Sequence, residues 1–213
     1  MRYQDRQDAG RRLAEALLGY ARPDVVVLAL PRGGVILGAE VASRLGVPLD
    51  LVIPRKVGHP SYPEYGIAAV AEAGEVVANE EEVARVDPAW FERAVAHERV
   101  EAARRRRHYL GGRDPLDLGG KTAILVDDGI ATGLTMEAAV RDAHARGAAR
   151  VVVAVPVAPA DAVVRLRRQA DEVVALQAPV DYAGAVGAYY REFRQVTDDE
   201  VIAALQGARV GPV

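Results

Sequence analysis

The chain has 213 residues, a formal net charge of −3, half of its residues apolar and only 5% aromatic. That composition excludes a disordered or fibrous chain, and the slight negative charge offers no global attraction to nucleic acid or an anionic membrane. Without cysteine, disulfides, thiolate metal sites and a cysteine nucleophile are excluded too. Of the 27 basic side chains only Lys56 and Lys121 are lysines, a skew that speaks of genome composition or heat tolerance rather than chemistry. The four histidines, His59, His97, His108 and His144, lack metal-ligand spacing. The charged start MRYQDRQDAG holds no apolar signal core, and no apolar run approaches the ~20 residues of a membrane span. The expectation is a cytoplasmic protein with no membrane partner.

In chain order, Leu13, Ala14, Leu17 and Leu18 recur at helical spacing and predict a helix over 5–18. VVVLAL at 25–30 reads as a strand buried on both faces. PRGG at 31–34 is a turn, a helix follows over 35–46, and LDLVIP at 49–54 is a second strand. The Gly- and Pro-rich stretch 55–66 reads as a loop. Short strands at 67–71 and 75–78 form a hairpin through Ala73 and Gly74. Asn79 then caps a helical start, and Asp87-Pro88 caps a longer helix to about 108. The linker GGRDPLDLGG precedes a strand at 122–126, and the alternation continues with helix 134–146, strand 150–155, helix 159–170 and strand 172–176. A loop-rich tail ends in a capping box at Thr197 that opens a last helix to Gly207. Strands alternating with helices imply an α/β fold with a mostly parallel sheet.

Chemistry concentrates in AILVDDGIATGLTMEAAV at 123–140, where a buried strand ends in Asp127 and Asp128 and a loop of small residues opens a helix. Ligands of parallel sheets bind beyond the carboxyl ends of strands. Small residues let amides converge on an anion, and the helix N-terminus adds partial positive charge. Thr132 and Thr135 add hydroxyl donors. Two adjacent carboxylates repel phosphate but accept hydrogen bonds from sugar hydroxyls, so the segment suits a ribose 5-phosphate. A capped strand end explains the pair poorly, because a cap needs one carboxylate. No Gly-x-Gly-x-x-Gly follows a strand, and this helix is opened by Gly133-Leu134-Thr135 rather than by the Gly-Lys-Ser/Thr of a Walker A loop.

LVDDGIATGLT resembles the signature of the type I phosphoribosyltransferases along the whole motif. The resemblance implies that Asp127 and Asp128 hold the ribose hydroxyls of phosphoribosyl pyrophosphate (PRPP). It also implies that Gly129, Ile130, Ala131, Thr132, Gly133, Leu134 and Thr135 hold its 5-phosphate. LALPRGGV at 28–35 looks like the family's pyrophosphate loop, with Arg32, Gly33 and Gly34 as its contacts. The 55–66 segment lies where the family carries a mobile closing loop, and Arg55 and Lys56 would neutralise the leaving group there. Asp127, Asp128, Arg32 and Lys56 are the expected catalytic set. The family's variable hood points to Asp181 and Tyr182 as base contacts, with Tyr189, Tyr190 and Phe193 as helix packing residues.

The implied architecture is one type I phosphoribosyltransferase-like domain over 1–213, with a helical insertion at about 79–110 and hood elements at about 177–213. The implied activity is transfer of the 5-phosphoribosyl group to a nitrogenous base with release of pyrophosphate. Mg2+ would be held mainly by PRPP, with Asp127 and Asp128 as possible protein ligands, and a homodimer is a reasonable partner state. A non-catalytic PRPP or nucleotide sensor stays open. One departure matters: Ala131 stands where 6-oxopurine transferases carry an aspartate, so that subclass's proton transfer does not carry over. The arginine run 104–107 with His108 reads as a solvated helix end rather than a nucleic-acid contact.

Overall fold

The computed structural model describes residues 2–208. Its centre is a five-stranded, fully parallel sheet of β1 (Val25–Ala29), β2 (Leu49–Leu51), β6 (Thr122–Val126), β7 (Arg150–Val157) and β8 (Glu172–Gln177), in the order β2-β1-β6-β7-β8. β1 and β6 are buried at every position, as apolar runs covered on both faces should be. The two-residue period splits each strand between two cores. Val25, Val27, Ile124 and Val126 pack under α1 (Arg6–Ala16) and α2 (Gly33–Leu45). Val26, Leu28, Ala123 and Leu125 pack under α5 (Leu134–Ala145) and α6 (Ala160–Leu166).

The connection after β1 runs to one side of the sheet and the connections after β6 to the other, so the order reverses between these two strands. That reversal opens a crevice at their carboxyl ends. A third core joins β2 to α4 (Pro88–Leu110) and α7 (Asp198–Gly207). It is fastened by Arg106, whose buried guanidinium donates to both oxygens of Asp50 at 2.6 and 2.7 Å and to the Leu51 carbonyl at 2.6 Å.

The segment expected as a loop at 55–66 is paired. β3 (Arg55–His59) and β4 (Tyr62–Val70) form an antiparallel hairpin, and β4 also pairs with β5 (Val77–Ala78) ahead of the short α3 (Glu80–Val83). The hairpin accommodates its Gly and Pro through register shifts either side of Gly58, where a Cβ would lie 2.1 Å from the Pro63 carbonyl oxygen. Other boundaries move as well. The first helix stops at Ala16 before a 3-10 turn, the second strand stops at Leu51, and α6 stops at Leu166. The second helix begins at Gly33, so the glycines of the PRGG turn form its first turn. Tyr189, Tyr190 and Phe193 are not on a regular helix: a 3-10 turn, Val186–Tyr189, precedes extended chain. Residues 209–213 of the expected hood lie outside the described residues. Among the described residues no helix is long and apolar enough to cross a membrane.

Candidate active site

The acid pair and the PRGG turn meet at the crevice between β1 and β6. Gly34 packs so closely that an added Cβ would stand 2.6 Å from the Val126 carbonyl oxygen and 2.9 Å from Asp127 Cα. At Gly33 a Cβ would fall 1.9 Å from Asp128 Oδ2. Only a residue without a side chain lets this turn lie against the carboxylates. The peptide joining Pro31 to Arg32 is cis. Arg32 faces Asp198 at 3.6 Å, at the start of α7.

Asp127 and Asp128 are partly buried side by side. Burial first, and the Asp128 charge second, push the Asp127 carboxyl well above the usual carboxylate range. Burial also raises Asp128, opposed by Arg6, whose Nε donates to Asp128 Oδ2 at 2.7 Å. Arg6 is held in turn by the Arg194 carbonyl at 2.6 Å and by the Phe193 ring, 3.9 Å below its guanidinium carbon. Tyr190 donates its hydroxyl to the Asp128 carbonyl at 2.5 Å, and burial keeps that phenol protonated. Sequence reasoning missed Arg6 altogether, and it gave Tyr190 only a packing role.

The 129–135 loop divides into a buried anchor and an open rim. Ile130 is buried, and its amide donates to the Val157 carbonyl at 2.9 Å, so Ile130 supports the loop rather than facing a ligand. Ala131 and Thr132 are exposed, and the amides of Ala131, Thr132 and Gly133 donate to no protein acceptor among the described residues. Gly133 takes φ +92°, a left-handed turn that feeds directly into α5. The first amides of α5, from Leu134 and Thr135, extend the same surface. Arg165, itself paired with Asp161 and Glu137, fixes the loop by donating to the Thr132 carbonyl at 2.7 Å.

Other expected residues stand apart. Arg55 is paired with Glu98 of α4 at 2.8 Å. Lys56 is exposed on the hairpin, its side chain running beside Gly66, without a hydrogen bond or ion pair to the acid pair or the PRGG turn. Asp181 is exposed. Tyr182 stacks on Tyr189 with ring centroids 5.4 Å apart, and its buried hydroxyl has no protein partner among the described residues. A magnesium ion fits here only as one held largely by a ligand's own oxygens. The acid pair supplies hard oxygen donors, one is already engaged by Arg6, and among the described residues no group of three or more His, Cys, Asp or Glu side chains surrounds a common point.

Comparison with known proteins agrees with this arrangement. A model of the phosphoribosyl transferase domain matches residues 2–192. Two Mycobacterium tuberculosis proteins, from strains CDC 1551 / Oshkosh and ATCC 25618 / H37Rv, carry the names "Putative phosphoribosyl transferase" MT0597 and Rv0571c; each is 45% identical over 208 residues, 97% of this chain. The chain spans about half the length of these relatives, 47% of each. The crystal structure of TT1426 from Thermus thermophilus is 48% identical, covers 96% of this chain and 98% of its own, and superposes with a TM-score of 0.81.

Proposed function

The chain belongs to the phosphoribosyl transferase family, and on that premise we propose that it moves the 5-phosphoribosyl group from PRPP to a nitrogenous base, releasing pyrophosphate. The observation that carries this reading is the meeting of the PRGG turn and the acid pair at the sheet's reversal point, with Gly33 set against Asp128. Asp127 and Asp128 accept hydrogen bonds from the two ribose hydroxyls. The unpaired amides of 131–133 and the N-terminus of α5 receive the 5-phosphate. The backbone of Gly33 and Gly34, with Arg32, takes the pyrophosphate, and Lys56 on the β3–β4 hairpin closes on it.

The C1–oxygen bond loosens through an oxocarbenium-like transition state, so the chain's work is positioning and charge stabilisation. Asp127 and Asp128 orient the ring and place negative charge below the developing cation. Magnesium, when bound with PRPP, supplies charge neutralisation on the leaving pyrophosphate. Ala131 carries no proton, so base activation by a side chain at that position is absent. Asp181 and Tyr182 are assigned to the acceptor side, and the 79–110 helices are read as an insertion on the core.

The test is a thermal melt with PRPP and Mg2+, followed by a pyrophosphate-release assay against a panel of purine, pyrimidine and other nitrogenous bases. A rise in melting temperature with base-dependent release is expected. No shift at millimolar PRPP overturns the assignment. Tight binding without release under any base overturns turnover and leaves a sensor.

A further inference from the structure

The arginine run of α4 is not a uniformly solvated helix end, because its members face different ways. Arg106 points inward to Asp50. Arg104 and Arg105 instead line a cavity of about 300 Å³ with His108, Tyr109, Arg32 and Asp198. That volume is at the lower end of the range for small-molecule sites.

The charge in this cavity is unbalanced. Its one carboxylate, Asp198, accepts from the Tyr109 hydroxyl at 2.8 Å and faces Arg32 at 3.6 Å and His108 at 3.7 Å. The Tyr109 hydrogen bond first, and the Arg32 charge after it, hold Asp198 below the usual carboxylate range. Arg104 reaches back to Glu101, one turn earlier on its own helix. Arg105 makes no hydrogen bond or ion pair among the described residues, although it is only half-exposed. Three guanidiniums and an imidazole thus converge on a space with one anion already shared among several donors. Guanidinium forks pair bidentately with phosphate oxygens as they do with carboxylates, and the one carboxylate here is already engaged. A second cavity of about 380 Å³ adjoins the first through Arg32 and Asp198, but Asp199 lines it as well, so the anion is held on the Arg104–Arg105 side.

We propose that the cavity between α4, the PRGG turn and the start of α7 binds an oligophosphate group, held by Arg104 and Arg105 from the helix and by Arg32 from the turn. The group belongs either to a free oligophosphate or to the phosphates of a nucleotide. Arg32 is shared with the proposed pyrophosphate site, whereas Arg104 and Arg105 play no part in the PRPP reading, so these two residues separate the pocket from it.

The test is calorimetric titration of the full chain with sodium tripolyphosphate and, separately, with a nucleoside triphosphate at fixed ionic strength. The double variant Arg104→Ala, Arg105→Ala is expected to weaken tripolyphosphate at least about tenfold, the loss of one charge-assisted hydrogen bond or more. It keeps the parent's melting temperature and its PRPP-induced shift. Asp198→Asn, which frees Arg32 and His108, is expected to tighten binding. If the nucleotide binds more than tenfold tighter than tripolyphosphate, the source is a nucleotide; comparable affinities point to the free oligophosphate, and either supports the pocket. Unchanged tripolyphosphate affinity in the double variant overturns the proposal. So does arginine-dependent binding of a single-stranded oligonucleotide by a protein that ignores tripolyphosphate. Failure of PRPP to bind, with tripolyphosphate still dependent on Arg105, refutes the transferase reading and leaves this one standing.

Discussion

Replacing Gly33 by alanine tests the joint between the two halves of the site. The new Cβ would sit 1.9 Å from Asp128 Oδ2 and 2.9 Å from Arg6 Nε, where real Cβ contacts do not fall below 3.0 Å. The carboxyl must therefore retreat by about 1 Å, or the turn must lift by as much. Either movement strains the 2.7 Å bond from Arg6 to Asp128. A hydrogen bond between charged groups is worth about 1.5–3 kcal/mol, and 1 kcal/mol moves the melting point of a chain this size by roughly 2–4 °C. The variant is expected to melt about 3–12 °C lower while keeping its far-ultraviolet circular dichroism. A misplacement of about 1 Å at the reacting centre is expected to reduce PRPP-dependent turnover on the order of 100-fold. Gly19→Ala is the control, because a Cβ there meets nothing within 4 Å. A Gly33→Ala protein that binds PRPP and turns over like the parent would refute the claim that turn and acid pair act as one site.

Asp127→Asn tests the electrostatics of the pair. Because the folded protein raises this pKa, the carboxyl's favourable contribution is fully present below its unfolded value and is lost as pH rises through the folded one. The variant should therefore melt higher than the parent at pH 7, by roughly 2–4 °C for about 1 kcal/mol. The gain should vanish near pH 3.5, while the PRPP-induced shift is reduced at pH 7; a gain independent of pH contradicts the argument. Tyr190→Phe removes the hydroxyl that supports the Asp128 carbonyl. It should cost about 1 kcal/mol in urea unfolding and raise KM for PRPP more than it lowers kcat, and an unchanged KM counts against a positioning role. Arg106→Met, which leaves Asp50 with only Arg146 at 3.5 Å and the Leu51 and Leu116 amides, should lower unfolding free energy by about 1.5–3 kcal/mol in urea. A loss below about 1 kcal/mol would show that the pair carries little.

The strands and the loop of small residues after β6 are legible in sequence because their signals are local. A run such as VVVLA or TAILV has one comfortable environment, and Asp-Asp followed by small residues has few uses at a strand's end. The β3–β4 hairpin is not legible, since Gly58, Pro60, Pro63 and Gly66 mark a loop in any local reading, and only the bulged pairing makes them tolerable. Arg6 is 122 positions from Asp128, and nothing in the periodicity of α1 marks it as more than a solvated arginine. The interior place of Arg106 is equally hidden, because a run of four arginines conceals which one turns inward. The pairing of Arg55 with Glu98 on α4 is hidden as well, because the two lie 43 positions apart.

These non-local partners explain how a costly pair of carboxyls stays in place. The floor of the crevice, β1 and β6, fixes the backbone of Asp127 and Asp128 but does nothing for their charge. The compensating groups come from the start of the chain and from the segment after β8. Tyr3 bridges to Tyr190, its amide donates to the Tyr189 carbonyl at 2.8 Å, and the Arg191 amide returns to the Tyr3 carbonyl at 2.9 Å. This strap carries Arg6, Tyr190 and Phe193 to the acid pair together. Arg6 hydrogen-bonds Asp128 only, and Asp127 accepts just the Asp128 amide at 2.8 Å, so most of its repulsion stays until further hydrogen-bond donors arrive from outside. A site left in that condition gains most from a ligand bearing adjacent hydroxyls, which stabilises the carboxylate the fold leaves least satisfied. Under the proposed function, a preference for a ribose diol over phosphate alone is the expected consequence of the resting electrostatics of Asp127, with the glycine turn and the loop rim proposed to receive the two ends of the ligand.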